Sequence, residues 1–100
     1  MELEWRYIGW CNETDRKGSK HDKVWASFRI GKDNYCCWGA RGKSVNFKKH
    51  DSLWDLEAIE KTKRRKYDTV GKEKILDIWP DFYDSVEQRL CFKILANKIM

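Results

Sequence analysis

Proline is almost absent from this chain of 100 residues, which has one proline and six glycines. This composition excludes a collagen-like repeat and a flexible low-complexity linker. The chain also lacks an apolar run approaching the length of about 18 residues that marks a membrane span. Residues 1–6 have no basic region followed by an apolar one, so no secretory signal is predicted. We therefore expect one cytoplasmic globular domain with no membrane partner.

Motifs for metals, cofactors and catalysis are missing as well. None of the four cysteines belongs to a CxxC pair, so we expect reduced thiols: Cys11, Cys36, Cys37 and Cys91. Combining His21 with the first three of these does not give the ligand spacing of a zinc site. There is no GxxxxGK loop and no HExxH, and the polar stretches around His21 and His50 offer no evident Ser or Cys partner. These absences predict a non-enzyme without metal or cofactor.

Tryptophan and positive charge, by contrast, are abundant. The chain has six tryptophans and a formal net charge of +5. Segment 12–50 holds ten Lys and Arg against four Asp and Glu, and the short segment 61–66 holds five cations. A basic, aromatic surface favours a polyanionic partner.

Alternating and aromatic-rich segments predict four strands at residues 3–11, 23–30, 35–38 and 44–48. Residues 12–22 are polar and are predicted to form a loop, whereas residues 31–34 form a hairpin turn. Residues 67–70 are predicted to add a short closing strand.

Helices are predicted to follow the strands. Ser52 and Asp55 resemble a capping box, and the helix that they begin ends in the cations of segment 61–66. Residues 73–79 fit a helix or a strand, and Pro80 is predicted to open a further helix. The sum is an α+β domain in which a small antiparallel sheet packs against one or two helices.

The tryptophans are predicted to divide between core and surface. Trp5, Trp25 and Trp54 lie on apolar faces and are assigned to the core, and Trp79 is expected to anchor the last helix. Trp10, on the strand face opposite to Trp5, fits an exposed or a covered position. Trp38 is left beside the turn 39–42, which holds two glycines and an arginine.

Three segments in this order resemble the WGR domain, a module named for its Trp-Gly-Arg motif. They are residues 18–25, the stretch Tyr-Cys-Cys-Trp-Gly-Ala-Arg-Gly at 35–42, and the helix end with its closing tyrosine at 60–67. The resemblance covers about residues 3–70. Alanine at position 40 stands where the family has arginine, and Arg41 comes one residue later. The resemblance implies a WGR-like sheet and helix over residues 1–70, with residues 71–100 as a helical extension packed on the same domain.

WGR domains of poly(ADP-ribose) polymerases bind DNA ends through aromatic and basic residues of the motif. The resemblance therefore implies that Trp38, Gly39 and Arg41 contact nucleic acid, with DNA more expected than RNA. Here an aromatic plane can stack on a base, and glycine lets a phosphate approach the backbone. A hairpin turn with Trp38 packed in the core is the alternative interpretation.

Basic side chains extend this predicted interface along strand four and the end of the first helix. The cations assigned to it are Lys43, Lys48, Lys49, Lys61, Lys63, Arg64, Arg65 and Lys66. Lys17, Lys20 and Lys23 are interpreted as solvated loop charges. The prediction is a non-catalytic nucleic-acid-binding module. The alternative is a small protein–protein interaction module that docks on a larger enzyme through its last helix.

Overall fold

The computed structural model describes residues 2–96, which form an α+β domain. Five strands make one antiparallel sheet in the order β4-β3-β2-β1-β5, and three helices pack against it. This confirms the predicted fold class. The strands are β1 (Glu4–Thr14), β2 (Lys20–Ile30), β3 (Asp33–Ala40), β4 (Asn46–His50) and β5 (Asp68–Thr69). The helices are α1 (Leu53–Lys66), α2 (Lys72–Ile78) and α3 (Phe82–Leu95).

The first hairpin is longer than its sequence predicts. β1 and β2 pair out to Thr14 and Lys20, so only residues 15–19 remain as a loop. Asp15 organises that loop, because its Oδ1 accepts hydrogen bonds from the backbone N–H groups of Lys17 and Ser19, each at 2.9 Å. Gly18 adopts the positive φ of +83° that completes the turn. The prediction of a loop over 12–22 was therefore too long.

A β-bulge in β1 changes the faces of its aromatic residues. The pairing with β2 shifts between Trp5 and Tyr7, so the simple alternation of sides is broken there. Trp5 and Trp10 consequently pack against the same core cluster, although the sequence placed them on opposite faces. Tyr7 belongs to the cluster on the other face.

The sheet is covered on both faces, and each face has its own core. On one face, strand residues such as Ala26 and Phe28 pack with the buried side chains of α2 and α3, among them Trp79 and Phe82. On the other face, α1 covers a smaller cluster: Tyr7, Cys11, Trp25, Cys36, Leu56 and Tyr67. Cys36 and Cys37 point to opposite faces, and both are buried for this reason.

Helix α1 begins where the capping signal predicts. The Ser52 hydroxyl accepts a hydrogen bond from the backbone N–H of Asp55 at 3.1 Å. The assignment of Trp54 to the core was wrong, since this side chain is 80% exposed. The face that α1 turns to the sheet instead contains Leu56 and Glu60, four residues apart on the helix.

Glu60 is buried by a polar network rather than by apolar neighbours. Arg6 donates to both carboxylate oxygens, at 2.9 and 3.0 Å, and the Ser27 hydroxyl donates to Oε2. Burial by itself would raise the pKa of Glu60, but these hydrogen bonds outweigh it and hold the pKa below its ordinary value. The network ties α1 to β1 and β2.

The C-terminal segment folds as two helices, and the segment 73–79 is helical as part of α2 up to Ile78, with Trp79 as the C-cap residue. Pro80 does not open α3 as predicted. It lies in the turn before the N-cap residue Asp81, and the helix begins at Phe82. Residues 97–100 of the predicted extension lie outside the described residues. Within residues 2–96, no helix combines the length and apolar composition needed to cross a membrane.

Candidate functional site

A solvent-open groove runs between α1 and the part of the sheet formed by β2, β3 and β4. Its volume is about 830 Å³. Five lysines line it and define what is here called the lysine groove: Lys20, Lys23, Lys43, Lys48 and Lys63. Aromatic side chains of Trp25, Trp38 and Tyr67 line it as well. The groove therefore combines concentrated positive charge with flat apolar surfaces.

Strand register places two of these lysines in the groove, and other elements supply two more. Lys23 lies two residues before Trp25 on β2, so both side chains point to the face covered by α1. Lys48 pairs with Cys36 across β3 and β4, which places it on that same face. α1 supplies Lys63 from the opposite wall, and the loop between β3 and β4 supplies Lys43.

Trp38 provides an accessible aromatic surface inside the groove. It is the cross-strand partner of Trp25, which is only 3% exposed, whereas Trp38 is 37% exposed. Trp25 therefore belongs to the core, as predicted, and Trp38 borders solvent. A partly exposed indole beside lysines can stack on a base or sugar.

Two lysines lie over the aromatic rings of Trp25 and Tyr67. The Lys63 ammonium lies 5.9 Å from the centre of the Trp25 ring and 5.7 Å from that of Tyr67. Lys23 lies 6.0 Å from the centre of the same tyrosine ring. These distances are within the range of cation–π attraction, which restricts the two side chains without neutralising them. The charges therefore remain free to meet an anion.

Acidic groups do little to neutralise the groove. Among the residues that the structure describes, Asp22 is the one carboxylate that lines the groove, and it is engaged by Arg41 at 2.9 Å and by the Trp10 indole N–H at 2.8 Å. Burial would raise the pKa of Asp22, but these two hydrogen bonds lower it overall. Within residues 2–96, none of the five lysines is in an ion pair with a carboxylate.

A cysteine–histidine pair lies at the bottom of the groove. Cys36 Sγ and His50 Nε2 are 3.2 Å apart. No local signal predicts this partner for His50, since the two residues are 14 positions apart and meet through the pairing of β3 with β4.

The pair is not an activated nucleophile. Burial raises the pKa of the Cys36 thiol to about 11 and lowers that of His50, so both groups are neutral at pH 7. Across the described residues, no three His, Cys, Asp or Glu side chains form a group that could hold a metal ion.

Arg41 lies at the rim of the groove, but its guanidinium is occupied within the protein. Besides bonding Asp22, it donates through Nη1 to the carbonyl of Ile78 at 3.3 Å and lies 5.9 Å from the Trp10 ring. Trp10 and Ile78 both pack against the core on the α2 and α3 side. The geometry thus gives Arg41 contacts that link the β3–β4 loop to the end of α2.

Gly39 is explained by a close crossing of the backbone. A Cβ atom at this position would lie 2.6 Å from the carbonyl oxygen of Ser44 and 3.2 Å from Cα of Val45. No side chain fits there, because the chain returning toward β4 passes directly over this residue. The glycine is required by this packing whatever the groove binds.

The other cations predicted for the interface do not line the groove. Lys49 follows Lys48 on β4 and therefore points to the opposite face, where its ammonium is 3.7 Å from Asp33. Lys61 and Arg64 line a separate recess of about 530 Å³ beyond α1, which the exposed Trp54 also borders. Arg65 and Lys66 are exposed in the last turn of the helix.

Two lysines of the groove were not predicted from the sequence. Lys20 and Lys23 were interpreted as loop charges, yet both belong to β2 and line the groove. Lys23 could have been predicted, because it lies two residues before the predicted core residue Trp25 and therefore on the same face of the strand. Tyr67 and Cys36 could not, since their places depend on how α1 packs on the sheet.

In comparisons with protein-family models, curated proteins and solved structures, no match to this chain was found. The lysine groove must therefore be interpreted from its own chemistry.

Proposed function

We propose that this protein is a non-catalytic nucleic-acid-binding module and that the lysine groove is its binding surface. The observation that carries the proposal is the convergence of five lysines, none of them in an ion pair with a carboxylate of residues 2–96, around the partly exposed Trp38. Phosphates would meet the lysines, and a base or sugar would stack on the indole. The order of motifs that resembles the WGR domain favours DNA over RNA.

The chemistry of the groove supports binding rather than catalysis. The thiol of Cys36 is protonated at pH 7, because burial raises its pKa to about 11. An uncharged, buried thiol beside a neutral His50 is a poor nucleophile.

Fluorescence anisotropy with labelled oligonucleotides tests the proposal. We expect a single strand of about 12 nucleotides to bind with a dissociation constant in the micromolar range at about 50 mM salt and more weakly as salt increases. A duplex of the same sequence, measured in parallel, shows whether unpaired bases are preferred. No binding of either at the lowest salt would refute the proposal.

A matched pair of charge reversals locates the surface. The double variant Lys23→Glu/Lys63→Glu changes two groove lysines, and Lys49→Glu/Lys93→Glu makes the same charge change outside the groove. We expect the first to abolish measurable binding and the second to weaken it only slightly through long-range electrostatics. Equal losses would show that net charge, and not the groove, governs binding.

A second candidate function is docking on a protein partner through α3. Val86 and Leu90 are fully buried, so the side of this helix that carries them belongs to the core. Phe92 and Leu95, however, are 70% and 82% exposed. Size-exclusion chromatography with a pulldown tests this function. A stable complex that contains no nucleic acid and is lost in Phe92→Ser/Leu95→Ser would favour it over the first proposal.

A further inference from the structure

Helices α2 and α3 are hydrogen-bonded to the two ends of the β3–β4 loop, which forms one rim of the lysine groove. We infer that Arg89 of α3 is a positioning residue, which holds this loop in its binding conformation without itself contacting the ligand. The inference rests on the proposed function, because its main consequence is a change in affinity. It gives residues 71–96 a role in binding, although they contribute no lysine to the groove.

The loop in question spans residues 41–45, which follow β3 directly. It begins with a tight turn, in which the backbone N–H of Lys43 donates to the carbonyl of Ala40 at 3.0 Å and Gly42 has a φ of +78°. Residues 41–44 are all exposed. The loop carries Lys43 and passes over Gly39, the neighbour of Trp38. Its conformation therefore decides where one of the five lysines lies.

Arg89 fixes the far end of this loop. Its Nε donates to the carbonyl of Val45 at 2.9 Å, and the Val45 side chain is only 2% exposed. Val45 belongs to the same core cluster as Val86 and Leu90, which lie on either side of Arg89 along α3. The helix thus holds Val45 by its side chain and its carbonyl together.

The near end of the loop is held by the other helix. Arg41, the first loop residue, reaches the carbonyl of Ile78 at the end of α2. Between these two anchors the loop has a glycine and exposed polar side chains, so its order depends on them. A loop that is disordered before binding loses conformational entropy when the ligand binds. This free-energy cost lowers the affinity.

Substitutions of Arg89 test the inference in the chain of 100 residues. Arg89→Met removes the donor, Arg89→Lys keeps the charge and a donor, and Lys93→Met removes a charge one turn further along α3. Three quantities are measured for each: amide hydrogen exchange over residues 41–45, the melting temperature, and the affinity for a labelled single-stranded DNA of about 12 nucleotides. Affinity is measured far below the melting temperature, where a merely stabilising residue leaves it unchanged.

For Arg89→Met we expect exchange in the loop to be about tenfold faster, since a charged hydrogen bond is lost. Affinity should fall about threefold to tenfold, because the loosened loop must be ordered when the DNA binds. Arg89→Lys should recover part of both losses, and Lys93→Met should leave exchange in the loop unchanged and lower affinity less.

Three results would overturn the inference. The first is unchanged exchange in Arg89→Met, and the second is faster exchange with unchanged affinity. The third is an equal loss of affinity in Lys93→Met, which would indicate a charge effect. If the wild-type protein binds no DNA, the proposed function fails by itself. Arg89 would then be supported as the loop's anchor by faster exchange and excluded by unchanged exchange.

Discussion

Two adjacent lysines on β4 offer a sharp test of the groove. Lys48 lines it, whereas Lys49 points to the other face and lies 3.7 Å from Asp33. Replacing either with methionine removes one positive charge from the same strand and keeps a side chain of similar length. The two variants have the same net charge, so any difference in nucleic-acid affinity reports the position of the side chain.

The size of the difference follows from counterion release. Each phosphate neutralised on a single strand contributes about −0.7 to the slope of log K against log salt, so five contacting lysines predict a slope of about −3.5. Affinity should then fall about 100-fold between about 50 and 200 mM salt. Lys48→Met should reduce the slope to about −2.8, and Lys49→Met should leave it near the wild-type value.

Anisotropy titrations at four salt concentrations, with one labelled single strand and all three proteins, give these slopes. Thermal unfolding of each variant confirms that it is folded at the titration temperature. The exposed pair of Lys49 with Asp33 contributes about 1 kcal/mol or less to stability, so the control should remain folded. Equal slopes for Lys48→Met and Lys49→Met would refute the argument that the groove collects the phosphate contacts.

Three further outcomes are expected. Gly39→Ala should destabilise the fold by about 2 kcal/mol or more in denaturant titrations, because its Cβ would lie 2.6 Å from a backbone oxygen; unchanged stability would contradict the close crossing. Because the pKa of Glu60 is lowered in the folded state, the stability it confers through Arg6 should be present above about pH 4.5 and decline as the pH falls below that value. Glu60→Gln should accordingly cost about 2 kcal/mol at pH 7 and less in acid, as urea unfolding across this range would show. Trp38→Leu should weaken single-strand binding about tenfold, whereas Trp54→Leu, on the outward side of α1, should not; equal effects would exclude Trp38 as the stacking surface.

Local signals in the sequence were sufficient for most elements of the fold. Ser52 before an apolar-periodic segment located the start of α1 because capping depends on residues a few positions apart. The bulge at Trp5–Tyr7 was not predictable from alternation, since it reflects how β1 pairs with β2. Trp54 was misplaced for a related reason. Its helix has apolar residues on more than one side, and only packing selects which side faces the sheet.

The candidate site was likewise predicted in part from the sequence and decided in part by tertiary contacts. Composition alone indicated a basic, aromatic surface, and the order of motifs indicated Trp38 as its aromatic element. Which cations join Trp38 depends on contacts between residues far apart in the chain. Strand register places Lys48 in the groove and Lys49 on the opposite face of the sheet. The packing of α1 on the sheet places Lys63 in the groove.

The sequence by itself determined the class of fold, the excess of positive charge and the start of α1, because these depend on composition and on neighbours along the chain. The tertiary structure alone decided that both faces of the sheet are covered, that Arg41 is bound to Asp22 and Ile78, and that Lys23 enters the groove. The physical reason is that a strand's alternation fixes only which side chains share a face. Helices and strands from other parts of the chain decide what covers that face. They also decide which charged side chains on it stay accessible.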